Sequence, residues 1–200
     1  MTQFIMINLL IATMAITSCA SFSGLGPQVV EKSKEARPPW VNGSDDSLAE
    51  EGDKLLYIKE QSHLKDLPLG VKDTQFQALQ DSRDLLQKKV LDHIKTVSSE
   101  SGISVVNNAQ MTSTVADAVR TSHNEFARIQ DIYYEKINDR SIEDKLEQDY
   151  YKVFVRVEYP KTQIDVLLKN ISMKFSGSKL PDLGKIAGHL EKLEWKLYSH

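Results

Sequence analysis

Two four-residue patterns in this 200-residue chain have the spacing of a serine nucleophile and its lysine base: Ser62-His63-Leu64-Lys65 and Ser176-Gly177-Ser178-Lys179. S-x-x-K places the two groups one helical turn apart. The first copy falls at the end of an expected strand, and the second holds a helix-breaking glycine. No companion motif accompanies either. The histidines His63, His93, His123, His189 and His200 share no metal-ligand spacing. His93 is expected at the edge of a helix, touching solvent. Asp45-Asp46 and Glu50-Glu51 pair carboxylates, but a general acid needs a walled, partly dry pocket to shift its pKa. Their Gly/Pro-punctuated surroundings offer none. No phosphate-cradling glycine loop and no G-x-S-x-G elbow occurs. The residues therefore indicate no catalytic group, no metal and no cofactor.

The remaining chemical feature is Cys19, the single cysteine. A lone thiol cannot close an intramolecular disulfide. It follows the apolar run Phe4–Ile16 (FIMINLLIATMAI), which is shorter than the roughly 20 residues a membrane-crossing helix takes. Ile16-Thr17-Ser18-Cys19 resembles the lipobox of bacterial lipoproteins: an aliphatic residue, two small ones, then the modified cysteine. Small side chains let a membrane-embedded enzyme reach an extended backbone beside a nucleophilic thiol. Cleavage is expected between Ser18 and Cys19, with Cys19 carrying the lipid. Met1-Thr2-Gln3 lacks the positive charge that usually opens a signal peptide. An ordinary signal peptide cut nearby, or an uncleaved anchor, would use the same run. Acyl chains would hold the protein firmly, at about 0.8 kcal/mol per buried methylene. Ala20, not Asp, follows the cysteine. In the enteric-type sorting rule that favours the outer membrane, with the protein facing the periplasm.

The anchor needs something to hold. From Ala20 to about Glu51 there is little periodicity, and Gly24, Gly26, Pro27, Pro38, Pro39 and Gly43 interrupt both regular structures. Residues 19–51 are expected to form a flexible tether. About thirty residues would span up to roughly 100 Å. Within it, Arg37-Pro38-Pro39-Trp40-Val41 sets a rigid dipeptide before an aromatic. Trp40 and Val41 either dock on the domain and start its first element, or Trp40 meets a partner.

Residues 52–200 are expected to fold as one α+β domain. Lys54–Leu64 reads as a strand, and Pro68 and Gly70 as a turn. Asp73–Ser98 is the strongest helix: Phe76, Leu79, Leu86, Val90, Ile94 and Val97 recur at helical steps. Asp73 or Thr74 would cap it and Gly102 would end it. Met111, Val115, Val119, Ser122 and Phe126 outline a second helix. Ile129–Ile137 reads as a strand, and Ser141–Asp144 as a turn or short helix. In Tyr151–Tyr159, Val153, Val155, Val157 and Tyr159 fall on one face, with Phe154, Arg156 and Glu158 on the other. That alternation marks a sheet packed on one side and wet on the other. Pro160 ends the strand. Ile164, Leu167, Leu168, Ile171 and Phe175 form the next helical stripe, closed by Gly177. Ile186, Leu190, Leu193 and Leu197 make a last helix, with Trp195 off the stripe. The sum is a two-layer sandwich: an antiparallel sheet of about three strands, a long helix across one face, and C-terminal helices.

If the two tyrosine-bearing strands pair, one member each of Tyr133/Tyr134 and Tyr150/Tyr151 faces inward. The outward members, with Trp40, make a candidate partner surface, because Tyr and Trp are enriched at interface centres. Net charge is −3, with 25 basic and 28 acidic residues interspersed, so no basic stripe points to nucleic acid.

The order of features resembles the LPP-twenty family of small bacterial lipoproteins. The matching pieces are Cys19, Arg37-Pro38-Pro39-Trp40-Val41, the helix Phe76–Val97, and Tyr150-Tyr151-Lys152-Val153-Phe154-Val155-Arg156-Val157. The resemblance covers about residues 19–175. It implies no established catalytic centre and a lipid-anchored role in cell-envelope or flagellar assembly. The expected partners are the membrane and an envelope protein or peptidoglycan-associated component. A self-assembling ring or layer built from unprotected sheet edges, and a periplasmic envelope hydrolase, are the alternatives.

Overall fold

A computed structural model describes residues 26–43, 47–103, 109–139 and 148–190. Ser18, Cys19, the signal-like run, the Ser141–Asp144 turn, Leu193, Trp195 and Leu197 lie outside the described residues. The architecture is α+β. One antiparallel sheet has five strands in the order β1-β4-β5-β3-β2, where β1 is Gln28–Lys32, β2 Ala49–Glu51, β3 Lys54–Leu64, β4 Arg128–Asp139 and β5 Gln148–Pro160. Four helices accompany it: α1 Leu67–Glu100, α2 Ala109–Phe126, α3 Thr162–Ser176 and α4 Pro181–Leu190.

The two strands beyond the expected three are the edges β1 and β2, and both come from the segment expected to be tether. QVVEK and AEE show no apolar alternation, because their side chains are almost all exposed. Backbone pairing holds them: β1 along Gln28–Lys32 against Glu135–Asn138 of β4, and β2 along Ala49–Glu51 against Lys54–Leu56 of β3. Ion pairs add support, Lys161–Glu50 at 2.6 Å and Arg156–Glu51 at 3.1 Å. Edge strands can therefore form without the burial pattern that reveals a central one.

On one side of the sheet, Val153, Val155, Val157 and Tyr159 of β5 are buried with Leu55 and Tyr57 of β3 beneath the helices, as the alternation predicts. Each such buried side chain contributes about 1.5–3 kcal/mol relative to exposure. The α3 stripe Ile164, Leu167, Leu168, Ile171 and Phe175 is buried throughout. Gly177 caps it, its N–H donating to the Met173 carbonyl at 3.2 Å.

α1 departs from expectation in its first half. It begins at Leu67, six residues before Asp73, because Asp66 is the cap: its Oδ1 accepts from the Leu69 N–H at 2.8 Å. Pro68 sits in the first turn, where its missing N–H costs no hydrogen bond. The buried line then runs Gly70, Thr74, Ala78, Ser82, Leu86, Val90, Ile94, Val97, and Phe76 is left 61% exposed. The reason lies across the interface. β3 turns large residues toward this half of the helix: Gln61 takes the Thr74 hydroxyl at 2.7 Å and donates to Gln77 at 2.6 Å, while Lys59 pairs with Asp81 at 2.7 Å. Small residues on α1 leave room for them. His93 is buried instead of edging solvent, and burial lowers its pKa. Gly102 ends the helix at φ +66°, the left-handed region a glycine adopts without strain.

Candidate functional site

The other side of the sheet is not simply wet. Phe154 of β5 and Tyr133 of β4 are directly paired across the ladder, with ring centroids 6.1 Å apart, and both are fully buried. Their cover is a 3-10 turn, Pro39–Gly43, whose Val41 is buried against them and whose Trp40 packs on the same cluster. Pro38 and Pro39 restrict the approach by fixing φ, and the Val41 N–H closes the turn on the Pro38 carbonyl at 3.1 Å. Trp40 and Val41 dock on the domain as expected, but they do not start its first element, which is β1. The docking site lies on the sheet face opposite the helices.

Polar side chains hold the turn in place. Trp40 Nε1–H donates to Asp131 Oδ2 at 3.1 Å, and Lys34 Nζ donates to the same carboxylate at 2.6 Å. Partial burial pushes the Asp131 carboxyl up, but the Lys34 ammonium, the Ile132 N–H and the Trp40 N–H outweigh it and hold the pKa below the usual carboxylate range. Arg37 Cζ lies 5.5 Å over the Phe154 ring and Lys152 Nζ lies 5.8 Å from it, which is cation–π distance. Arg37 also reaches the buried Glu135 at 3.5 Å, and Glu135 accepts from the Tyr133 hydroxyl at 3.1 Å. Burial, with Glu135 beside it, raises the Tyr133 pKa.

A groove of about 530 Å³ opens next to this turn. Pro39 and Trp40 form one wall, Leu56 and Ile58 of β3 the other, and Arg156 and Glu51 supply charge. The Arg156 Nη2 reaches Glu51 and Glu158 at 3.1 Å each. Lys54 fixes Glu158 from its other oxygen at 2.6 Å. Strand alternation assigned Arg156 and Glu158 to this face without revealing the groove. Asp131 and Glu51 carried no sequence signal, since a carboxylate on a strand or in an acidic run is usually solvated.

The tyrosines separate as the pairing argument requires, but not into one surface. Tyr134 and Tyr151 face the helix side, edge-on at 6.3 Å, and the Tyr134 hydroxyl donates to Glu31 at 3.3 Å. Tyr133 and Tyr150 face the opposite side. Tyr133 is wholly covered, so it supports the Trp40 turn and offers no surface. Tyr150 stacks on His63 at 4.4 Å. Of the five candidates, Trp40 meets Tyr133 on one side of the sheet and Tyr134 meets Tyr151 on the other, while Tyr150 joins neither pair.

One serine–histidine pair does form inside the helix layer. Ser82 Oγ and His123 Nε2 are 2.9 Å apart and buried. The Ser82 hydroxyl also lies 3.2 Å from the Leu79 carbonyl, a second acceptor for its proton, and the tautomer of the ring sets which atom donates between Ser82 and His123. Burial, with Arg83 nearby, lowers the His123 pKa to about 4. Ser62 and Lys65 lie at the end of β3 and just past it, and Ser176 ends α3, so neither S-x-x-K pair sits within a helix. Among the described residues no group of three or more His, Cys, Asp or Glu could hold a metal ion. No helix among the described residues is long and apolar enough to cross a membrane. No family model, curated protein or solved structure matches the chain.

Proposed function

We propose that this chain is a lipid-anchored envelope protein, held through Cys19 at the periplasmic side of the outer membrane, that binds a partner and carries out no reaction of its own. The observation that carries the reading is the apolar run ending at Ile16-Thr17-Ser18-Cys19. The LPP-twenty-like order of features points the same way. The fold adds a consequence. Strand β1 starts at Gln28, so only eight residues, 20–27, separate it from Cys19. They reach at most about 30 Å, far less than the roughly 100 Å of a thirty-residue tether. A partner is therefore met close to the bilayer, and the Trp40 face is the surface built to meet it. Burial of both Ser82 and His123 within the helix layer speaks against the hydrolase alternative.

Metabolic labelling with a fatty acid, comparing wild type with Cys19→Ser, followed by membrane fractionation, tests the reading. Labelled wild type in the membrane fraction and unlabelled, released Cys19→Ser are expected. Unlabelled wild type defeats it. A second reading, self-assembly, is favoured by one observation: among the described residues β1 is an edge strand, and its Val29 and Val30 are 51% and 56% exposed. A register shift between Val29 and Glu31 blunts that edge. Sizing the chain in detergent decides, and a strict monomer at high concentration removes it.

A further inference from the structure

We propose that the outer face of the first half of α1, carrying Leu69 and Phe76, rests on the surface of the bilayer to which Cys19 ties the chain. This rests on the anchor reading above and adds how the domain is seated on the lipid.

A helix packed on a sheet ordinarily turns its large apolar side chains inward. The first half of α1 does the opposite. Its buried residues are Gly70, Thr74, Ala78 and Ser82, while Leu69 is 68% and Phe76 61% exposed. Leu69, Lys72 and Phe76 stand three and four residues apart, so they share one side of the helix. Lys65, just before the helix, and Lys72 are both exposed beside Leu69. The carboxylates of this stretch turn back on the protein: Asp66 accepts from the Leu69 N–H, and Asp73 accepts from Gln61 and Gln77. Large apolar residues with lysines alongside suit the boundary between headgroups and acyl chains. Lysine stems can lie along the apolar side chains there while the ammonium groups stay among the headgroups.

The strand ladder selects lipid as the occupant. β1 is the strand that leads to Cys19, and its first residue, Gln28, pairs with Asn138, which pairs with Asp149. Two residues further on, Tyr151 pairs with Leu64 at the end of β3. The start of β1 and the start of α1 therefore lie at the same end of the sheet, three strand spacings or about 14 Å apart across it. With only residues 20–27 between Gln28 and Cys19, that end is held within about 30 Å of the anchor. From there α1 runs back along β3, Thr74 meeting Gln61 and Asp81 meeting Lys59. Leu69 is in its first turn and Phe76 about 10 Å further along. A domain leaning over onto this side of α1 brings both to the bilayer. The same lean turns the Trp40 side of the sheet, opposite the helices, away from the lipid and toward a partner. α3 leaves the other end of the sheet, after Pro160 paired with Lys54, so its exposed Val166 and Met173 belong to the end away from the anchor.

The test uses the full chain, purified from membranes in detergent and reconstituted in phosphatidylcholine vesicles with or without bromine on the upper acyl carbons, which quenches tryptophan on contact. Trp40→Phe with Trp195→Phe removes both native tryptophans. Single probes are then placed by Leu69→Trp, Phe76→Trp and, at the distal end, Met173→Trp. All three sites are exposed, so an indole there repacks no core. The two α1 probes are expected to lose emission at least about two-fold in brominated vesicles, since an interfacial side chain sits at the headgroup/acyl boundary. Met173→Trp should keep its emission. Unquenched α1 probes would overturn the proposal, leaving the face to water or to a protein partner. Equal quenching at all three sites would overturn it as well, because the domain would then lie on lipid with no preferred face. Fatty-acid labelling of Cys19 reads the anchor separately. Labelled protein with unquenched α1 probes sinks only the seating, and quenched α1 probes in an unlabelled chain sink only the anchor.

Discussion

Acid should weaken this fold through His123. The ring is buried between α1 and α2, its Nε2 2.9 Å from Ser82 Oγ and its plane 8° from that of Tyr159. Leu48, Leu86 and Val157 line the same small space. Burial is the larger cause of its lowered pKa and Arg83 the second, together bringing it to about 4. In the unfolded chain the group titrates near 6.5. Between those values the unfolded chain holds more protons than the folded one, so stability falls as pH falls. Above about pH 7 the group has no effect, and below about pH 4 its loss is complete. The gap of about 2.5 units corresponds to about 3.4 kcal/mol in full and about 2 kcal/mol at pH 5. Urea unfolding followed by circular dichroism at pH 7 and pH 5 measures it, for wild type and His123→Gln. The substitution changes stability at both pH values, but only the pH dependence matters here. Wild type should lose about 2 kcal/mol more than His123→Gln over that interval. His93, also buried with a lowered pKa, remains in both proteins and cancels. Parallel losses would refute the assignment of His123 as a buried neutral ring.

Three further outcomes follow from the packing. Gly70→Ala should destabilise the domain by about 1–2 kcal/mol although alanine is the better helix former; its Cβ would lie 2.8 Å from Leu64 Cδ1 and 3.2 Å from Leu64 Cβ, and a thermal melt reads the effect. In a Trp195→Phe background, so that emission reports Trp40 alone, Phe154→Ala should cost about 3–5 kcal/mol and shift Trp40 emission to the red, because the turn loses the ring it covers; an unchanged emission maximum would show that Trp40 is held without it. Asp131→Asn should cost under about 1 kcal/mol, since the Lys34 pair is partly solvated, yet it should free the turn, read as faster amide exchange at Trp40 and Val41. Because the native carboxyl is held below its usual pKa, the wild-type contribution is present above the unfolded carboxylate range and fades as pH falls through the folded value.

Much of the central fold was legible, and for one reason. Where a face meets the core, its residues must be apolar at the period of the element. Val153, Val155, Val157 and Tyr159 declared β5, and Ile164, Leu167, Leu168, Ile171 and Phe175 declared α3, including which side each would bury. The proposed anchor rests on local residues too, since a lipobox such as Ile16-Thr17-Ser18-Cys19 would be read by a processing enzyme as an extended segment before any fold matters.

Other features depended on neighbours far away in the chain. β1 and β2 exist because β4 and β3 offer free backbone donors and acceptors, which no side-chain pattern records. Phe76 points outward and Gly70, Thr74 and Ala78 inward, because Lys59 and Gln61 occupy the interface from the opposite layer. His93 and His123 became buried rings through helix packing, not through their local sequence. The alternation in β5 placed Phe154 and Arg156 on one face but could not say what covers that face. Trp40 and Val41 supply the cover from more than a hundred residues away. Local spacing reports which side of an element is apolar, because that follows from its own geometry. What lies against that side, and so where a groove is left open, is decided only when distant segments compete for the same space.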